Sequence, residues 1–329
     1  MMNNNSAFLS VKDLVVEYKA EGQVVHAVNG VSFELERGKT FGLVGETGSG
    51  KSTIPKALMR ILPDPPAKIR RGEIILDGED LLKISEKEMR KIRGRRVSMI
   101  FQDPMTALNP IMKIGEQVAE VIKMHNDITW REANGRAAKM LEMVGIPSDR
   151  FNEYPHQLSG GMSQRVVIAI ALACNPELLI ADEPTSALDV TIQAQVLDMI
   201  VKLKKEFNTS MIMISHNLGV VAEQCDDLAV IYAGEIVEIG SKEDIFDRPT
   251  HPYTLGLFGA VPNMEEEDTD RLKPIAGMPP DPTNLPPGCH FGPRCPFASE
   301  KCSHEEKELI EIEPGHFFRC TRDLHLEAR

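Results

Sequence analysis

The chain has 329 residues, with 37 Lys and Arg against 49 Asp and Glu, and a formal net charge of -12. This acidic excess disfavours general binding to nucleic acid, because proteins that bind polyanions usually present a basic surface. Hydrophobic residues make up 42% and charged residues 26% of the chain, which is typical of a folded globular protein and excludes a disordered or collagen-like chain.

Membrane insertion and secretion are both disfavoured by the apolar pattern. The longest apolar run, Val166–Cys174, is about half of the ~18 residues that a membrane-spanning helix needs. The first residues, Met1–Ser6, lack a basic region followed by an apolar core, so we expect no secretory signal and a cytosolic compartment.

Strands dominate the first part of the chain. Alternating apolar and polar residues predict an opening hairpin over Phe8–Tyr18 and Val24–Leu35. A short apolar strand, Phe41–Gly45, is followed by a glycine-rich loop and by helical spacing from Lys51 to Leu62. Further elements are predicted as strands at Ile74–Leu76 and Val97–Phe101, with a helix between them that a Ser85–Glu88 capping box begins.

Helices dominate the middle of the chain, and prolines dominate its end. From Pro104 to about Ala173 the periodicity is almost wholly helical. Two fully apolar runs, Leu178–Ala181 and Met211–Ile214, are typical of buried strands in a parallel sheet, and the helix Val190–Phe207 would connect them. Frequent prolines after Gly240 predict a loop-rich C-terminal region that begins near residue 255.

A phosphate-binding loop is predicted between the third strand and its helix. The segment Gly45–Ser52 fits the pattern G-x-x-x-x-G-K-[ST] in full and has the strand-loop-helix context that the pattern needs. Backbone N–H groups of such a loop surround phosphate oxygens, Lys51 supplies a positive charge, and the Ser52 hydroxyl binds Mg²⁺. The predicted nucleotide-binding residues are Gly45, Glu46, Thr47, Gly48, Ser49, Gly50, Lys51, Ser52 and Thr53. The alternative is a glycine-rich loop that binds nothing.

An acidic pair ends the apolar strand that starts at Leu178. Asp182 would hold Mg²⁺, and Glu183 would act as the general base that polarises an attacking water. By itself such a pair is more often a helix cap or a solvated loop. Its position after a phosphate-binding loop favours the catalytic interpretation.

The segment Leu158–Met162, followed by Gln164 and Arg165, resembles the signature motif of ATP-binding cassette (ABC) ATPases. This resemblance implies an α/β P-loop NTPase fold: a RecA-like core sheet, an antiparallel β subdomain and a helical insert at about residues 104–174. We expect the nucleotide-binding domain over residues 1–255 and a four-cysteine C-terminal region over residues 256–329. Ser159, Gly160 and Gly161 would bind ATP across a dimer of two ATPase subunits.

Four more positions match the family in order and spacing. Gln102 resembles the Q-loop glutamine that senses Mg²⁺ and water, His216 the switch histidine that contacts the γ-phosphate, and Tyr18 the aromatic residue that stacks on adenine. The segment Ser186–Asp189 is similar to the D-loop. Each of these residues alone has an ordinary structural explanation, and the order of all of them carries the assignment.

Several segments outside the catalytic motifs resemble the oligopeptide and dipeptide importer branch of the family, among them Phe101–Pro110 and Arg248–Thr254. The resemblance implies an ATPase that powers peptide import at the cytoplasmic face of the membrane, as a peripheral subunit. Its partners would be two integral membrane permease subunits, a second related or identical ATPase subunit and, indirectly, an extracytoplasmic peptide-binding protein, with no nucleic acid. The rival hypothesis is a soluble ABC ATPase that remodels DNA or ribosomes.

Three positions depart from the family pattern. Asn217 stands where many members have Asp after the histidine, and Ser163 replaces a commoner Arg or Gln on what we expect to be an exposed helix start. Pro55 falls inside the helix predicted after the phosphate-binding loop, where its missing N–H and its ring predict a local distortion.

The C-terminal region concentrates four cysteines: Cys289, Cys295, Cys302 and Cys320. Their irregular spacing lacks the two C-x-x-C pairs of a zinc ribbon, so zinc is less favoured. Four thiolates suit an iron-sulfur cluster, and the importer resemblance implies a four-iron, four-sulfur (4Fe-4S) cluster at these residues. Thiols without any metal are the third possibility.

Overall fold

The computed structural model describes residues 7–20, 22–186, 188–259, 275–304 and 308–320. The chain divides into two compact units. The first unit comprises Met1–Leu35, Phe41–Leu82 and His216–Arg329, and the second comprises Glu36–Thr40 and Lys83–Ser215.

The described strands, in chain order, are β1 (Leu9–Ala20), β2 (Gln23–Leu35), β3 (Thr40–Val44), β4 (Ala67–Leu76), β5 (Glu79–Asp80), β6 (Val97–Ile100), β7 (Leu178–Asp182), β8 (Ser210–Ile214), β9 (Asp227–Tyr232), β10 (Glu235–Ser241), β11 (Ile310–Glu313) and β12 (His316–Phe318).

The described α-helices are α1 (Thr53–Leu58), α2 (Glu86–Ile92), α3 (Pro104–Ala107), α4 (Ile114–His125), α5 (Trp130–Met143), α6 (Gly160–Leu172), α7 (Val190–Phe207), α8 (Leu218–Gln224), α9 (Lys242–Asp247) and α10 (Pro252–Phe258).

The first unit contains an antiparallel sheet that begins with the predicted hairpin. Its strand order is β2-β1-β4-β5, and Tyr18 of β1 lies opposite Val25 of β2 and Ala67 of β4. Apolar residues on one face of these strands form the core side of the sheet, and Leu14 and Ile74 are fully buried. The alternation seen in the sequence therefore marks the buried face of this sheet.

A second run of strands in the first unit carries the phosphate-binding loop. The order is β11-β12-β10-β9-β3, in which β3 pairs parallel with β9 and the other pairs are antiparallel. All five residues of β3 are buried, so the loop that follows Val44 starts from the core. The turn between β9 and β10 uses Ala233 and Gly234, both with positive φ, as a tight hairpin requires.

The second unit combines a parallel sheet with the predicted helical insert. Strands β8, β7 and β6 lie side by side, and every residue of the three is buried. The crossover helix α7 has the bounds that the sequence predicts, and Asn208 ends it in the left-handed conformation with φ of 51°. The helices α3–α6 fall within the predicted insert at residues 104–174.

The helix after the phosphate-binding loop is shorter than predicted. It starts at Thr53 instead of Lys51 and ends at Leu58 instead of Leu62, so Pro55 is the third residue of its first turn. The backbone N–H groups of a first turn have no partner within the helix, and a missing N–H costs nothing there. Pro55 therefore lies where the helix requires no hydrogen bond from its nitrogen, and the local distortion stays a prediction.

In the part of the chain that the structure describes, no helix combines the length and the apolarity needed to cross a bilayer.

Candidate nucleotide-binding and catalytic residues

The phosphate-binding loop of the first unit has a backbone that only glycine can adopt at two positions. Gly45 and Gly50 have φ of 146° and 98°. A Cβ atom would lie 2.1 Å from the Ile231 carbonyl oxygen at Gly45 and 2.2 Å from the Ala27 carbonyl oxygen at Gly50. The loop is thus pressed against neighbouring backbone, which fixes its curvature.

Lys51 is buried beneath this loop, with only 6% of its surface exposed. Its Nζ donates to the carbonyl oxygens of Gly45 at 2.7 Å and Glu46 at 2.6 Å, and to Ser49 Oγ at 3.2 Å. These three neutral acceptors hold the ammonium group within the curve of the loop. Ser52 follows as the N-terminal cap residue of α1. The loop therefore presents a pre-positioned cation and a helix start, which is the arrangement that binds phosphate.

Two other predicted residues of the first unit lie at the ends of their elements. Tyr18 is half-buried near the end of β1. His216 is exposed and directly precedes Asn217, whose Oδ1 accepts from the N–H groups of Gly219 at 3.1 Å and Val220 at 3.3 Å. Asn217, the departure from the family pattern, caps α8 as an aspartate would.

The second unit brings the predicted base and the predicted Q-loop glutamine into contact. Gln102 Nε2 donates to Glu183 Oε2 at 2.9 Å. Glu183 has a left-handed backbone with φ of 47°, and its N–H donates to the Ile214 carbonyl oxygen at 2.9 Å. Its neighbour Asp182 ends β7 and is 3% exposed. A strained, non-glycine backbone conformation is uncommon and often occurs at functional positions.

The signature segment begins helix α6 in the second unit. Ser159 is the cap residue, and its Oγ accepts from the N–H of Met162 at 3.4 Å. Ser159 and Gly160 are exposed, and Gly161 is half-buried. The segment therefore offers a helix start to the solvent, as an anion-binding cradle would. In the D-loop, Ala187 lies outside the described residues.

The expectation that Ser163 lies on an exposed helix start is wrong. Ser163 is fully buried and Gln164 is 1% exposed. Helix α6 is apolar on nearly all sides, so its second turn is already inside the protein.

Two residues that contact the phosphate-binding loop were missed by the sequence analysis. Tyr253 lies at the start of α10, and its Oη accepts a hydrogen bond of 2.7 Å from the Glu46 N–H. Arg294 Nη1 donates to the Glu46 carboxylate at 2.7 Å. Tyr253 lies within the segment Arg248–Thr254 that resembles peptide importers, so that resemblance was the available signal. Nothing in the local pattern around Arg294 indicates its distant partner.

The prediction of an iron-sulfur cluster at Cys289, Cys295, Cys302 and Cys320 is wrong. Among the described residues, which include all four, no group of three or more His, Cys, Asp or Glu is placed to hold a metal ion. Burial raises the pKa of the Cys289 thiol to about 11. Cys302 Sγ instead lies 3.5 Å from the backbone N of Ser299. The same finding counts against zinc.

Known proteins resemble this chain over nearly its whole length. Residues 28–186 match the family described as ABC transporter, and residues 237–302 match the oligopeptide/dipeptide transporter C-terminal region. The oligopeptide transport ATP-binding protein OppD of Bacillus subtilis is 50% identical over 322 residues, which are 97% of this chain and 90% of that protein. The dipeptide transport ATP-binding protein DppD of the same organism is 50% identical over 296 residues, 89% of this chain and 88% of that one.

A solved structure agrees with this assignment. The dimeric structure of MJ0796, a bacterial ABC transporter cassette, has a TM-score of 0.64 and 27% identity, and covers 71% of this chain and 98% of the cassette. The predicted α/β fold of ABC ATPases is therefore confirmed, and the hypothesis of a DNA- or ribosome-remodelling ATPase is disfavoured. The chain belongs to the ABC transporter ATPases, among the ATP-binding proteins of oligopeptide and dipeptide transporters.

Proposed function

We propose that this chain hydrolyses ATP to power the import of dipeptides or oligopeptides through a separate membrane permease. The observation that carries the proposal is the presence, in one chain, of an ABC transporter region and an oligopeptide/dipeptide transporter C-terminal region. We place the nucleotide-binding domain at residues 1–255 and the C-terminal region at residues 256–329.

The first unit would bind the triphosphate. The closely packed glycines fix the curvature of the loop, and the buried Lys51 ammonium adds a positive charge. Tyr18 would stack on adenine, and His216 would contact the γ-phosphate. The other residues assigned to nucleotide binding lie in the loop, except Thr53, which is the first residue of α1. Those in the loop are Glu46, Thr47, Gly48 and Ser49.

Magnesium fits the chemistry of the donors that the chain offers. Ser52, Gln102 and Asp182 present hydroxyl, amide and carboxylate oxygens, and Mg²⁺ prefers oxygen ligands. When bound, the ion would neutralise charge that develops on the phosphates. The chain's own contribution is to hold these oxygens, with Asp182 fixed at the buried end of β7.

Glu183 would take the proton of the attacking water. Its carboxylate is already oriented by Gln102, and its backbone is fixed by the N–H bond to Ile214. A base must be held within hydrogen-bond reach of the water that it activates. The contact between Gln102 and Glu183 would therefore position the base before hydrolysis begins.

The signature residues Ser159, Gly160 and Gly161 would complete the ATP site of a second ATPase subunit, either a related chain or a copy of this one. We further propose two integral permease subunits as direct partners and an extracytoplasmic peptide-binding protein as an indirect one. The chain would then act as a peripheral protein at the cytoplasmic face of the membrane.

Reconstitution tests this function. The chain should co-purify from membranes with integral permease subunits, and the complex in vesicles should accumulate labelled short peptides only when ATP is present on the side of the ATPase. A matched complex with Glu183→Gln should bind ATP without accumulating peptide. Co-purification with ribosomes or DNA and no permease, or uptake that is independent of ATP, would contradict the proposal.

A further inference from the structure

Glu46, the second residue of the phosphate-binding loop, is held through all three of its polar groups. Its carbonyl oxygen accepts from Lys51 Nζ at 2.6 Å, and its N–H donates to Tyr253 Oη at 2.7 Å. Its carboxylate is bound by both terminal nitrogens of Arg294, with Nη1–Oε2 at 2.7 Å and Nη2–Oε1 at 3.0 Å. One loop residue thus joins the phosphate-binding lysine to the C-terminal region, which lies in the same unit.

Arg294 is itself rigidly held. Its side chain is 5% exposed, and its Nε donates to the Ala276 carbonyl oxygen at 3.0 Å. Its Nη1 also donates to Tyr232 Oη at 3.2 Å, and its guanidinium carbon lies 5.7 Å from the centre of the Tyr232 ring. A planar guanidinium held in this way can bind a carboxylate only in one orientation.

Tyr253 and Tyr232 form the layer between these contacts. Their ring centres are 4.6 Å apart, and the Phe291 ring lies 5.2 Å from Tyr232 and 5.4 Å from Tyr253. Tyr253 is fully buried, and its burial raises the pKa of its hydroxyl group, which therefore stays neutral. The back of the loop consequently rests on an aromatic cluster that leaves Arg294 as the cation bound to Glu46.

The charge of Glu46 makes this contact relevant to ATP. A carboxylate on a phosphate-binding loop repels the triphosphate and competes with it for the Lys51 ammonium. A bidentate pair with Arg294 neutralises that charge and turns it away from the lysine. Loss of Arg294 would leave a negative charge on the loop and release the residue whose carbonyl oxygen orients Lys51.

We propose that Arg294 is a positioning residue for ATP binding: it neutralises and fixes Glu46, and through this contact the C-terminal region sets the affinity of the loop for ATP. This inference rests on the proposed function, because it assigns regulation to the same nucleotide site. It gives the C-terminal region a direct effect on nucleotide affinity that depends on one ion pair.

Nucleotide binding by the full-length chain tests the inference. Titration with Mg²⁺ and a non-hydrolysable ATP analogue should show that Arg294→Ala raises Kd about tenfold, in the range of measured couplings between ion pairs. At saturating ATP the kcat should change by less than about twofold, because Arg294 contacts none of the residues assigned to hydrolysis. The variant Arg294→Lys keeps the charge without the bidentate geometry and should give an intermediate Kd.

The double variant Glu46→Ala/Arg294→Ala separates positioning from a purely structural role. Removing the carboxylate as well should restore Kd to within about threefold of the wild type, since no unpaired charge then faces the nucleotide. The control is Arg248→Ala, which breaks a 2.5 Å pair with Glu313 in the same unit and should leave Kd unchanged.

Two results would overturn the inference: an unchanged Kd in Arg294→Ala, or a double variant that binds as weakly as Arg294→Ala. If Arg294→Ala does not fold, Arg294→Lys takes its place, and an unchanged Kd in Arg294→Lys would equally overturn the inference. Failure of peptide import is a separate outcome, because the wild-type chain can bind ATP with or without a permease.

Discussion

The two segments that we assign to phosphate binding are built in opposite ways. The loop at Gly45–Ser52 is packed against backbone, holds a buried lysine and is supported from behind by Tyr253 and Arg294. In the signature segment, Ser159 and Gly160 are exposed to solvent, and the Ser159 side chain caps its helix by accepting the N–H of Met162. A site completed within its own chain can be pre-organised, whereas one that serves a second subunit must stay accessible until that subunit arrives.

Hydrolysis should fail most strongly when the base is lost while both segments stay intact. We expect Glu183→Gln to lower kcat by about 10³-fold, within the range for removal of a general base, with Kd for ATP nearly unchanged. The amide keeps the hydrogen bond with Gln102 but cannot accept the proton of water. Because ATP persists, the variant should also accumulate as an ATP-bound dimer, measurable by size-exclusion chromatography. Wild-type turnover in this variant would remove Glu183 from its assigned role.

A single methyl group should distinguish the packed loop from the open segment. Gly50→Ala places a Cβ 2.2 Å from the Ala27 carbonyl oxygen on a backbone with φ of 98°, and should lower the free energy of unfolding by about 2–4 kcal/mol. The matched change Gly160→Ala meets its nearest atom, in Leu188, at 4.0 Å and should change stability by less than about 0.5 kcal/mol. Urea unfolding without nucleotide measures the free energy of unfolding of both variants. Equal losses of stability would contradict the difference between the two segments.

A histidine behind the phosphate-binding loop, His251, should make the stability of the folded chain depend on pH. His251 caps α10, and its Nδ1 accepts the N–H of Tyr253 at 3.1 Å. Burial lowers the pKa of His251 from 6.5 to about 3, so the folded chain keeps it neutral while the unfolded chain takes up a proton below pH 6.5. Stability is therefore lost as the pH falls from 6.5 towards 3, by at most about 1.4 kcal/mol per pH unit.

The variant His251→Asn isolates this contribution. Asparagine can still accept the Tyr253 N–H as a helix cap but does not titrate, so the variant should lose less stability than the wild type between pH 7 and pH 5. The difference between the two unfolding curves is the relevant quantity, since other carboxylates titrate in both proteins. Parallel curves would show that His251 is not protonated on unfolding in this range.

The sequence predicted the residues of both segments but not what supports them. The spacing from Gly45 to Ser52 is local, and a strand, a loop and a helix start follow from it directly. The pair Glu46–Arg294 joins positions 248 residues apart, and the pairing of β12 with β10 joins Phe318 to Glu238 in a separate part of the sequence, so no local pattern reveals either. The burial of Ser163 depends on neighbours on all sides of α6. The four thiols and the importer resemblance indicated a cluster that the arrangement of the side chains contradicts.

The last prediction concerns the side-chain cap of the signature segment. Ser159→Ala removes the cap bond to Met162, which is long at 3.4 Å, and should lower the free energy of unfolding by about 0.5 kcal/mol. Ser85→Ala, which removes the hydroxyl contacts of the capping box of α2 in the same unit, should cost about 1 kcal/mol and serves as the control. ATP turnover should fall more in Ser159→Ala than in Ser85→Ala, because the Ser159 hydroxyl would also face the nucleotide of a partner subunit. A turnover loss in Ser159→Ala no larger than that in Ser85→Ala would mean that the hydroxyl serves only as a cap.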